Sequence, residues 1–410
     1  MTSKTLAIRG GDPVRTKPFP AWPVFDESDE QAVLEALRSG NWGKLQGKQV
    51  VQFEKTFAEY HQAKYGIGVV NGSVSLKIAL LAAGIQAGDE VIVTPYTFLA
   101  TAGSVLEANA IPVFADLDLA TLNITPESIE AVITPRTRAI IPVHLGGLPV
   151  DMAGIMQLAA KHDLFVIEDA AHAHGSEFRG QRVGSLGHVG SFSFQSSKNL
   201  PSGEGGIITC NDDTIYETCF SIHNCGRIRG GQWYEHHRLG SNYRLGELQG
   251  ALLNAQIRRL DGQVEYRNRN GRRLAERISQ LPGIAPQQIG PDCTRHSFHL
   301  FNFLVDPNVL GMTRDEFIEA LNAEGIPAAC GYKIPLYRQP LFRNTENFGP
   351  YSAFKQTLPS LDYNAITLPN CEAACYERAA WLEHRLLLGD ENDINDIANA
   401  FEKICTQAKR

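Results

Sequence analysis

Apolar and polar residues follow a repeating block pattern over residues 66–209. Short runs that are apolar throughout, such as Ala139–Val143 (AIIPV), alternate with segments whose apolar residues recur at helical spacing. Strands without a polar face are typical of a largely parallel sheet that helices cover on both sides. The predicted strands are Gly66–Val70, Glu90–Thr94, Ile111–Ala115, Ala139–Val143, Leu164–Glu168, Val189–Phe194 and Gly206–Thr209.

Helices are predicted between these strands and ahead of them. Within the block they are Ser73–Ala83, Thr97–Ala108, Pro126–Ile133 and Met152–His162. Ahead of the block, a Gly- and Pro-rich arm leads into a helix that Ser28 can cap, followed by a second helix over Val51–Tyr65. Strand Gly206–Thr209 follows a tight turn, which allows one antiparallel neighbour in the sheet.

The C-terminal third has a different pattern. A long helix is predicted over Leu245–Arg272, and it leads out of the sheet region. Beyond it the predicted elements are a strand over Ser297–Val305 and helices over Thr313–Gly325, Ala373–Glu377 and Asn392–Ala408. The chain is therefore predicted to be an α/β protein with two domains. Residues 1–261 form an arm and a large, mostly parallel sheet domain, and residues 262–410 form a smaller α+β domain.

Composition excludes several classes of partner. The 410 residues carry a formal net charge of −7 and no dense Lys/Arg block, so neither nucleic acid nor an anionic membrane surface is expected as a partner. No run approaches the roughly 18 apolar residues of a membrane span, and a cytoplasmic protein is expected. The eight cysteines are scattered without a CxxC pair, which predicts reduced, structural thiols.

Unusual residues follow several of the predicted strands. In an open α/β sheet, ligands bind beyond the carboxyl ends of the strands. The turn Asn71–Leu76 opens a helix with small residues, which suits a phosphate, although a simple capped helix start also fits. Phe98 can stack on a planar ring or pack in the core. Asp169 ends a buried strand and needs a cationic partner there.

A single lysine, Lys198, lies between the predicted strand Val189–Phe194 and the glycine-rich turn Gly203–Gly206. A lysine held in this way and partly desolvated can form an imine through its neutral amine. Alternation along the strand directs Ser193 away from the core, toward a phosphate. A phosphate turn, a stacking aromatic, a strand-end aspartate and a lysine, in this order, match the needs of pyridoxal 5′-phosphate. His172 and His174 have no third ligand at a telling spacing, so no metal is expected.

With these motifs the chain resembles the DegT/DnrJ/EryC1/StrS sugar aminotransferases, which are fold-type I pyridoxal-phosphate enzymes. The resemblance covers nearly the whole chain and implies the aspartate-aminotransferase-like fold. It rests on NGSVSL (Asn71–Leu76), PYTFLAT (Pro95–Thr101), PVHLGG (Pro142–Gly147), EDAAHAHG (Glu168–Gly175), FSFQSSK (Phe192–Lys198), GEGG (Gly203–Gly206) and GSNYRL (Gly240–Leu245).

The resemblance implies a role for each matching residue. Lys198 forms the covalent imine with the cofactor, and Asp169 pairs with the pyridine nitrogen. Phe98 stacks on the cofactor ring. His172 occupies a position where many members have Gln, near the phenolic oxygen of the cofactor.

The phosphate end of the cofactor is assigned in the same way. Gly72 and Ser73 hold the phosphate through backbone and hydroxyl, and Ser193 adds a further donor. Asn242 reaches the phosphate from the neighbouring subunit. The resemblance therefore implies a homodimer with two shared active sites.

The expected activity is aminotransfer by a ping-pong mechanism, from glutamate or glutamine to a ketosugar or ketocyclitol, in polysaccharide or antibiotic biosynthesis. PFPAWP (Pro18–Pro23), HNCGR (His223–Arg227) and WLEHRLLL (Trp381–Leu388) are similar to 3-amino-5-hydroxybenzoate synthases and glutamine-dependent cyclitol aminotransferases. Many members that act on sugar nucleotides carry a His in the stretch that corresponds to residues 331–337, and none occurs here. The candidate substrate contacts in and just after that stretch are Tyr332, Lys333, Tyr337 and Arg338.

Two alternatives share the cofactor residues. One is an aromatising dehydratase, or lyase, of the 3-amino-5-hydroxybenzoate synthase kind. The other is a non-catalytic member that binds the cofactor as a sensor. The presence of both Lys198 and Asp169 argues against the sensor, since a pure binder need not keep both.

Overall fold

The computed structural model describes residues 5–349 and 361–408. The strands of these residues, in chain order, are β1 (Tyr65–Val69), β2 (Glu90–Val93), β3 (Ile111–Phe114), β4 (Thr137–Ile141), β5 (Phe165–Asp169), β6 (Glu177–Phe178), β7 (Gln181–Arg182), β8 (Val189–Ser193), β9 (Gly206–Cys210), β10 (Ile284–Pro286), β11 (Cys293–Arg295), β12 (Leu300–Val305), β13 (Ala328–Cys330) and β14 (Ala379–Glu383).

Helices separate most of these strands. The α-helices of the described residues are α1 (Glu27–Arg38), α2 (Gln49–Tyr60), α3 (Gly72–Ala82), α4 (Ala100–Glu107), α5 (Pro126–Glu130), α6 (Met152–His162), α7 (Asp213–His223), α8 (Glu247–Ile278), α9 (Pro307–Leu310), α10 (Arg314–Ala323), α11 (Pro340–Arg343), α12 (Pro369–Ala373) and α13 (Glu391–Ala408). No helix in the described ranges is both long enough and apolar enough to cross a membrane.

Seven strands form the central sheet, in the order β1-β9-β8-β5-β4-β2-β3. Strand β9 runs antiparallel to both of its neighbours, whereas the pairs among β8, β5, β4, β2 and β3 are parallel. The expected mostly parallel sheet with one antiparallel strand is confirmed. Because Ser193 pairs with Gly206 across β8 and β9, the segment that carries Lys198 leaves and re-enters the sheet at adjacent positions.

Both faces of this sheet are covered. On one face, Phe53 and Phe57 of α2 pack against Phe192 and Phe194, with ring centroids 4.9 Å apart for Phe57 and Phe192. Further along that face, helix α6 covers β4 and β5. On the other face, apolar residues of α3, α4 and α7 pack with the C-terminal region. Strands buried on both sides explain why their sequences lack a polar face.

The C-terminal region is built on a second sheet, antiparallel throughout, in the order β10-β12-β14-β13. Its apolar face packs against α8, α10 and α13, where Phe303, Phe317 and Phe401 meet. Leu6 and Phe19 of the N-terminal arm belong to the same apolar cluster. The division of the chain at residue 261 stays a prediction, and that position lies inside the continuous helix α8.

One sequence-based expectation needs correction. The cap of α1 is Asp26, not Ser28, because the Asp26 carboxylate accepts the Ser28 N–H at 2.9 Å and the Asp29 carboxylate accepts the Asp26 N–H at 2.8 Å. Leu34 and Leu37 of the same helix are exposed in this chain.

Helix α7 has no counterpart among the predicted elements. Its sequence is interrupted by Thr, Cys and Ser, which have modest helix propensity. The helix begins where the Asp212 carboxylate accepts the Ile215 N–H at 2.8 Å, and its buried face packs beside α3 and β1. Tertiary packing therefore stabilises this helix more than its local propensity does.

We predict that Phe192→Ala lowers the free energy of unfolding by about 3–5 kcal/mol, because it removes a fully buried ring and leaves a cavity. Phe192 lies 4.9 Å from Phe57 and 4.4 Å from His61 between ring centroids. Urea unfolding followed by circular dichroism measures the change. Val309→Ala, at a half-exposed position on α9, is the control and is expected to change the value by less than about 0.5 kcal/mol. Equal effects of the two substitutions would contradict the assigned core.

Candidate active site

A cavity of about 870 Å³ opens beyond the carboxyl ends of β1, β2, β5 and β8. Parallel strands place the residues that follow them at one edge of the sheet, which brings distant parts of the chain together. The predicted site residues that line the cavity are Gly72, Ser73, Phe98, Asp169, His172, Ser193, Lys198 and Tyr332.

Asp169 is the last residue of β5 and is buried, with 5% of its surface exposed. One carboxylate oxygen accepts a hydrogen bond from Thr101 Oγ1 at 2.8 Å, and the other accepts the Ala171 N–H at 3.3 Å. Burial raises the pKa of Asp169, and the hydrogen bond from Thr101 and the positive charge of Lys198 oppose this rise. The carboxylate is thus held in one orientation and favours a cationic neighbour.

Lys198 follows β8 and is half-buried in the cavity wall. Its backbone N–H donates to the Gln195 carbonyl at 2.8 Å, which closes a turn just before the lysine. Burial lowers the pKa of Lys198 from 10.5 to about 8, and the charge of Asp169 opposes that lowering. Within the described ranges, Nζ has neither a hydrogen-bond partner nor an ion-pair partner. A sizeable fraction of the amine is therefore neutral near pH 8 and able to act as a nucleophile.

The N-terminus of α3 forms the opposite wall. Asn71 caps this helix, and its Oδ1 accepts the Val74 N–H at 2.9 Å. The N–H groups of Gly72 and Ser73 are left at the positive end of the helix dipole. A Cβ atom on Gly72 would lie 2.8 Å from the Cβ of Ser193, so only glycine allows Ser193 to lie this close. Helix N–H groups beside two serine hydroxyls form an anion-binding cradle.

Two ring side chains lie between these walls. His172 is buried, and its Nδ1 accepts the Gly146 N–H at 3.3 Å, which leaves the proton on Nε2. Burial and the nearby charge of Lys198 lower the pKa of His172 well below its usual value, so the ring is neutral. Phe98, by contrast, exposes 64% of its surface, and its ring is free to stack on a ligand or to meet another chain.

The structure does not bring the remaining predicted residues to the cavity. Tyr337 is fully buried, and its hydroxyl donates to Glu372 at 2.8 Å. Arg338 forms an ion pair with the same carboxylate at 3.1 Å. Lys333 is exposed and lies 4.0 Å from Asp315. Asn242 is exposed and lies outside the cavity lining of its own chain, where a backbone bridge joins it to Asn224.

Several lining residues were missed by sequence reasoning. Thr101 lies in the PYTFLAT motif, and Trp22 and His384 lie in PFPAWP and WLEHRLLL, so motifs marked their regions without assigning them a role. The side chains of Trp22 and His384 reach the cavity only because the arm and β14 fold against the large sheet. For His299, which follows no strand of that sheet, no sequence signal was available.

The described residues fit pyridoxal 5′-phosphate. The unpartnered Lys198 amine, the buried Asp169 carboxylate and the cradle at Gly72 and Ser73 supply the three groups that this cofactor needs. Sheet order, second sheet and site together match the fold-type I class of pyridoxal-phosphate enzymes that the sequence motifs resemble.

Comparison with known proteins agrees with this class. The model of the DegT/DnrJ/EryC1/StrS aminotransferase family matches residues 23–397, and the chain belongs to that family. A putative L-glutamine:3-amino-2,3-dideoxy-scyllo-inosose aminotransferase of Streptoalloteichus tenebrarius is 40% identical and aligns over 98% of both chains. The 3-amino-5-hydroxybenzoate synthase of Amycolatopsis mediterranei is 35% identical over 95% of this chain and 98% of the relative.

Solved structures show the same fold. A crystal structure of 3-amino-5-hydroxybenzoic acid synthase superimposes with a TM-score of 0.86 at 34% identity, covering 96% of this chain and all of the other. An aminotransferase from Psychrobacter cryohalolentis gives a TM-score of 0.86 at 33% identity, with the same two coverages. The expected fold, family and cofactor are confirmed.

We predict that Asp169→Asn lowers the pKa of Lys198 below about 8, because the Asp169 charge stabilises the ammonium form. The measurement is the pH dependence of trinitrobenzenesulfonate labelling of Lys198 in the full chain freed of cofactor, quantified by peptide mass spectrometry. The midpoint should move to lower pH. Asp213→Asn, which removes an exposed carboxylate bonded to Lys64, should leave the midpoint unchanged. A midpoint that moves to higher pH in Asp169→Asn would show that the two groups are not coupled as described.

Proposed function

We propose that this aminotransferase moves the amino group of glutamine or glutamate to an uncharged cyclic ketone, a ketocyclitol or ketosugar. The observation that supports this acceptor class is the charge of the cavity. Among its lining residues, three carboxylates face two cations. One cation is Lys198, and the other, Arg385, is already bonded to Glu383 at 2.8 Å. A sugar linked to a nucleoside diphosphate brings two further negative charges, which this lining does not balance.

The names of relatives support the same proposal. Besides the relative from Streptoalloteichus tenebrarius, an L-glutamine:2-deoxy-scyllo-inosose aminotransferase of Streptomyces kanamyceticus is 36% identical over 98% of this chain. These names specify glutamine as donor and a ring ketone as acceptor. Biosynthesis of an amino-sugar or aminocyclitol product, as in antibiotics, is the expected setting.

The proposed roles follow from the geometry of the cavity. Pyridoxal phosphate, when bound, supplies an electron sink for charge that develops at the substrate carbon. Asp169 keeps the ring nitrogen protonated, and the hydrogen bond from Thr101 fixes that carboxylate. Lys198 holds the cofactor and then moves a proton through its free Nζ. His172, whose Nε2 carries the proton, donates to the phenolic oxygen.

The phosphate end is proposed to lie at α3. The N–H groups of Gly72 and Ser73 and the hydroxyl of Ser193 bind the phosphate, and the exposed ring of Phe98 covers one face of the cofactor. Tyr332, whose ring lies edge-on to Tyr96 at 5.2 Å, is the one predicted substrate contact that lines the cavity. Donor and acceptor use the same cavity in turn, which gives ping-pong kinetics.

A homodimer is the proposed assembly. Exposed apolar side chains concentrate near the N-terminus, on α1, on α2 and between these helices: Leu34, Leu37, Trp42 and Val51. Exposed apolar side chains grouped in one part of a chain are typical of an interface between proteins. The proposed occupant is a second copy of the chain, because Asn242 then has a role at the partner's phosphate site. A cytoplasmic location, expected from the sequence, stays a prediction.

We predict that Lys198→Ala lowers the rate of amino transfer by about 10²–10⁴-fold or more, since it removes the group that moves the proton. The assay uses glutamine labelled with ¹⁵N at the α-amino group and 2-deoxy-scyllo-inosose, with mass spectrometry of the ring product. Lys64→Ala, at an exposed lysine paired with Asp213, should keep the wild-type rate. Label in the amine of the ring product supports transfer. A dehydrated product without label would support the lyase alternative, and an unchanged rate in Lys198→Ala would exclude the assigned role.

We predict a solution mass near twice the 45.1 kDa of one chain, measured by light scattering. The substitutions Leu37→Glu and Trp42→Glu should lower this mass, whereas Val309→Glu on α9 should not.

Complementation tests the shared site. A mixture of refolded Lys198→Ala and Asn242→Asp chains should recover part of the activity that each variant alone lacks. No recovery from mixed dimers would mean that Asn242 does not serve the partner's site.

A further inference from the structure

Four aromatic rings form a row beside the segment that carries Lys198. Trp22 of the arm meets His384 edge-on at 4.4 Å, His384 lies 5.5 Å from His299, and His299 lies 4.2 Å from His172, measured between ring centroids. The row extends from the N-terminal arm to the end of β5. Only His172 has a role in the function proposed above.

Two members of this row bind consecutive carbonyl groups just before the lysine. The indole N–H of Trp22 donates to the Ser196 carbonyl at 3.0 Å. Nε2 of His384 contacts the Ser197 carbonyl, also at 3.0 Å. Because a carbonyl only accepts hydrogen bonds, Nε2 of His384 carries the proton. Burial lowers the pKa of His384 to about 3, so the ring is neutral near pH 7.

The residue after the lysine is held as well. Asn199 is buried, and its Oδ1 accepts from His299 Nδ1 at 3.1 Å. Its Nδ2 donates to the Ser297 carbonyl at 3.1 Å, which also accepts from Arg267 Nε at 3.0 Å. Segments outside the large sheet therefore hold the backbone just before Lys198 and the Asn199 side chain just after it.

We propose that Trp22 and His384 are positioning residues for Lys198. Together they clamp the Ser196–Ser197 backbone, so that the backbone at Lys198 stays in place while its flexible side chain moves. The proposal rests on the proposed role of Lys198. A lysine has four rotatable side-chain bonds, and freedom of its backbone would add to the volume that Nζ samples. Holding a reacting group in place is a large part of catalytic efficiency, and a displacement of about 1 Å can cost about 10²-fold in rate.

The clamp also links distant parts of the chain to the lysine. Trp22 belongs to the arm, and His384 follows β14 of the second sheet, beside Glu383 and Arg385 in the cavity lining. A substrate that contacts Glu383 or Arg385 therefore touches the residues on either side of the His384 donor. The second sheet and the arm do not carry the residues assigned to the cofactor, but they supply the side chains that hold the backbone before Lys198.

The test compares substitutions that differ in one hydrogen-bond donor. His384→Leu removes the donor, whereas His384→Gln restores an N–H at similar reach. Trp22→Phe keeps an aromatic ring and removes only the indole N–H. His162→Leu, at a half-buried histidine at the far end of α6, is the control. All are studied as full chains loaded with pyridoxal phosphate.

We expect His384→Leu to lower kcat by about 10-fold, with KM for donor and acceptor changed less than about 2-fold, because position is lost and substrate binding is not. Trp22→Phe should show a smaller loss of the same kind. His384→Gln should recover most of the rate. The second readout is the pH titration of the visible absorbance of bound cofactor without substrate. Its midpoint should shift in His384→Leu and Trp22→Phe, and stay at the wild-type value in His384→Gln and His162→Leu.

An unchanged titration midpoint and kcat in both His384→Leu and Trp22→Phe would overturn the proposal. Equal damage in His384→Gln and His384→Leu would do the same, since it would show that the imidazole shape matters and the donor does not. If His384→Leu does not fold, the partly exposed Trp22→Phe and the conservative His384→Gln still decide the question. If Lys198→Ala loses activity while His384→Leu and Trp22→Phe do not, the clamp proposal is wrong and the proposed function is still supported.

Discussion

The geometry of the active site depends on the hydrogen bonds of the fully buried Glu168 carboxylate. This carboxylate accepts three backbone N–H groups from residues 184–187, at 2.8, 2.8 and 2.7 Å, and contacts His144 Nε2 at 3.0 Å. A buried charge without such partners would cost several kcal/mol. These bonds fix the end of β5 from one face of the sheet. Because successive residues of a strand point to opposite faces, the next residue, Asp169, is then directed into the cavity.

Asp169 and Lys198 are coupled through their charges. Burial raises the pKa of the acid and lowers that of the amine, and each group opposes the shift of the other through its charge. They do not form a direct ion pair among the described contacts, so neither neutralises the other. The acid is held by Thr101 and the lysine by its backbone, which leaves both functional atoms open to a ligand between them. The anion cradle at Gly72 completes the arrangement.

Local patterns predicted much of the large sheet. Helix α6 has the predicted bounds, and strands β2 and β8 lie within one residue of theirs, because unbroken apolar runs and helical spacing have few alternative solutions. Strand β14 was not predicted, since its sequence AAWLE favours a helix locally. It becomes a strand because β12 and β13 pair with it on both sides. Tyr337 was expected at the substrate, but the core and the Glu372 carboxylate hold it elsewhere.

Local sequence specifies the alternation of strands and helices, the strand-end aspartate, the small-residue turn at Asn71 and the lysine before a glycine turn. Each of these depends on neighbours within a few residues, through backbone geometry and the end of a strand or helix. The residues that surround the lysine are set by long-range packing. Trp22 lies 174 positions from its carbonyl acceptor and His384 lies 187 from its own, and no local periodicity specifies such contacts. They arise because two sheets and the arm must bury their apolar faces against one another, and that packing sets what converges on Lys198.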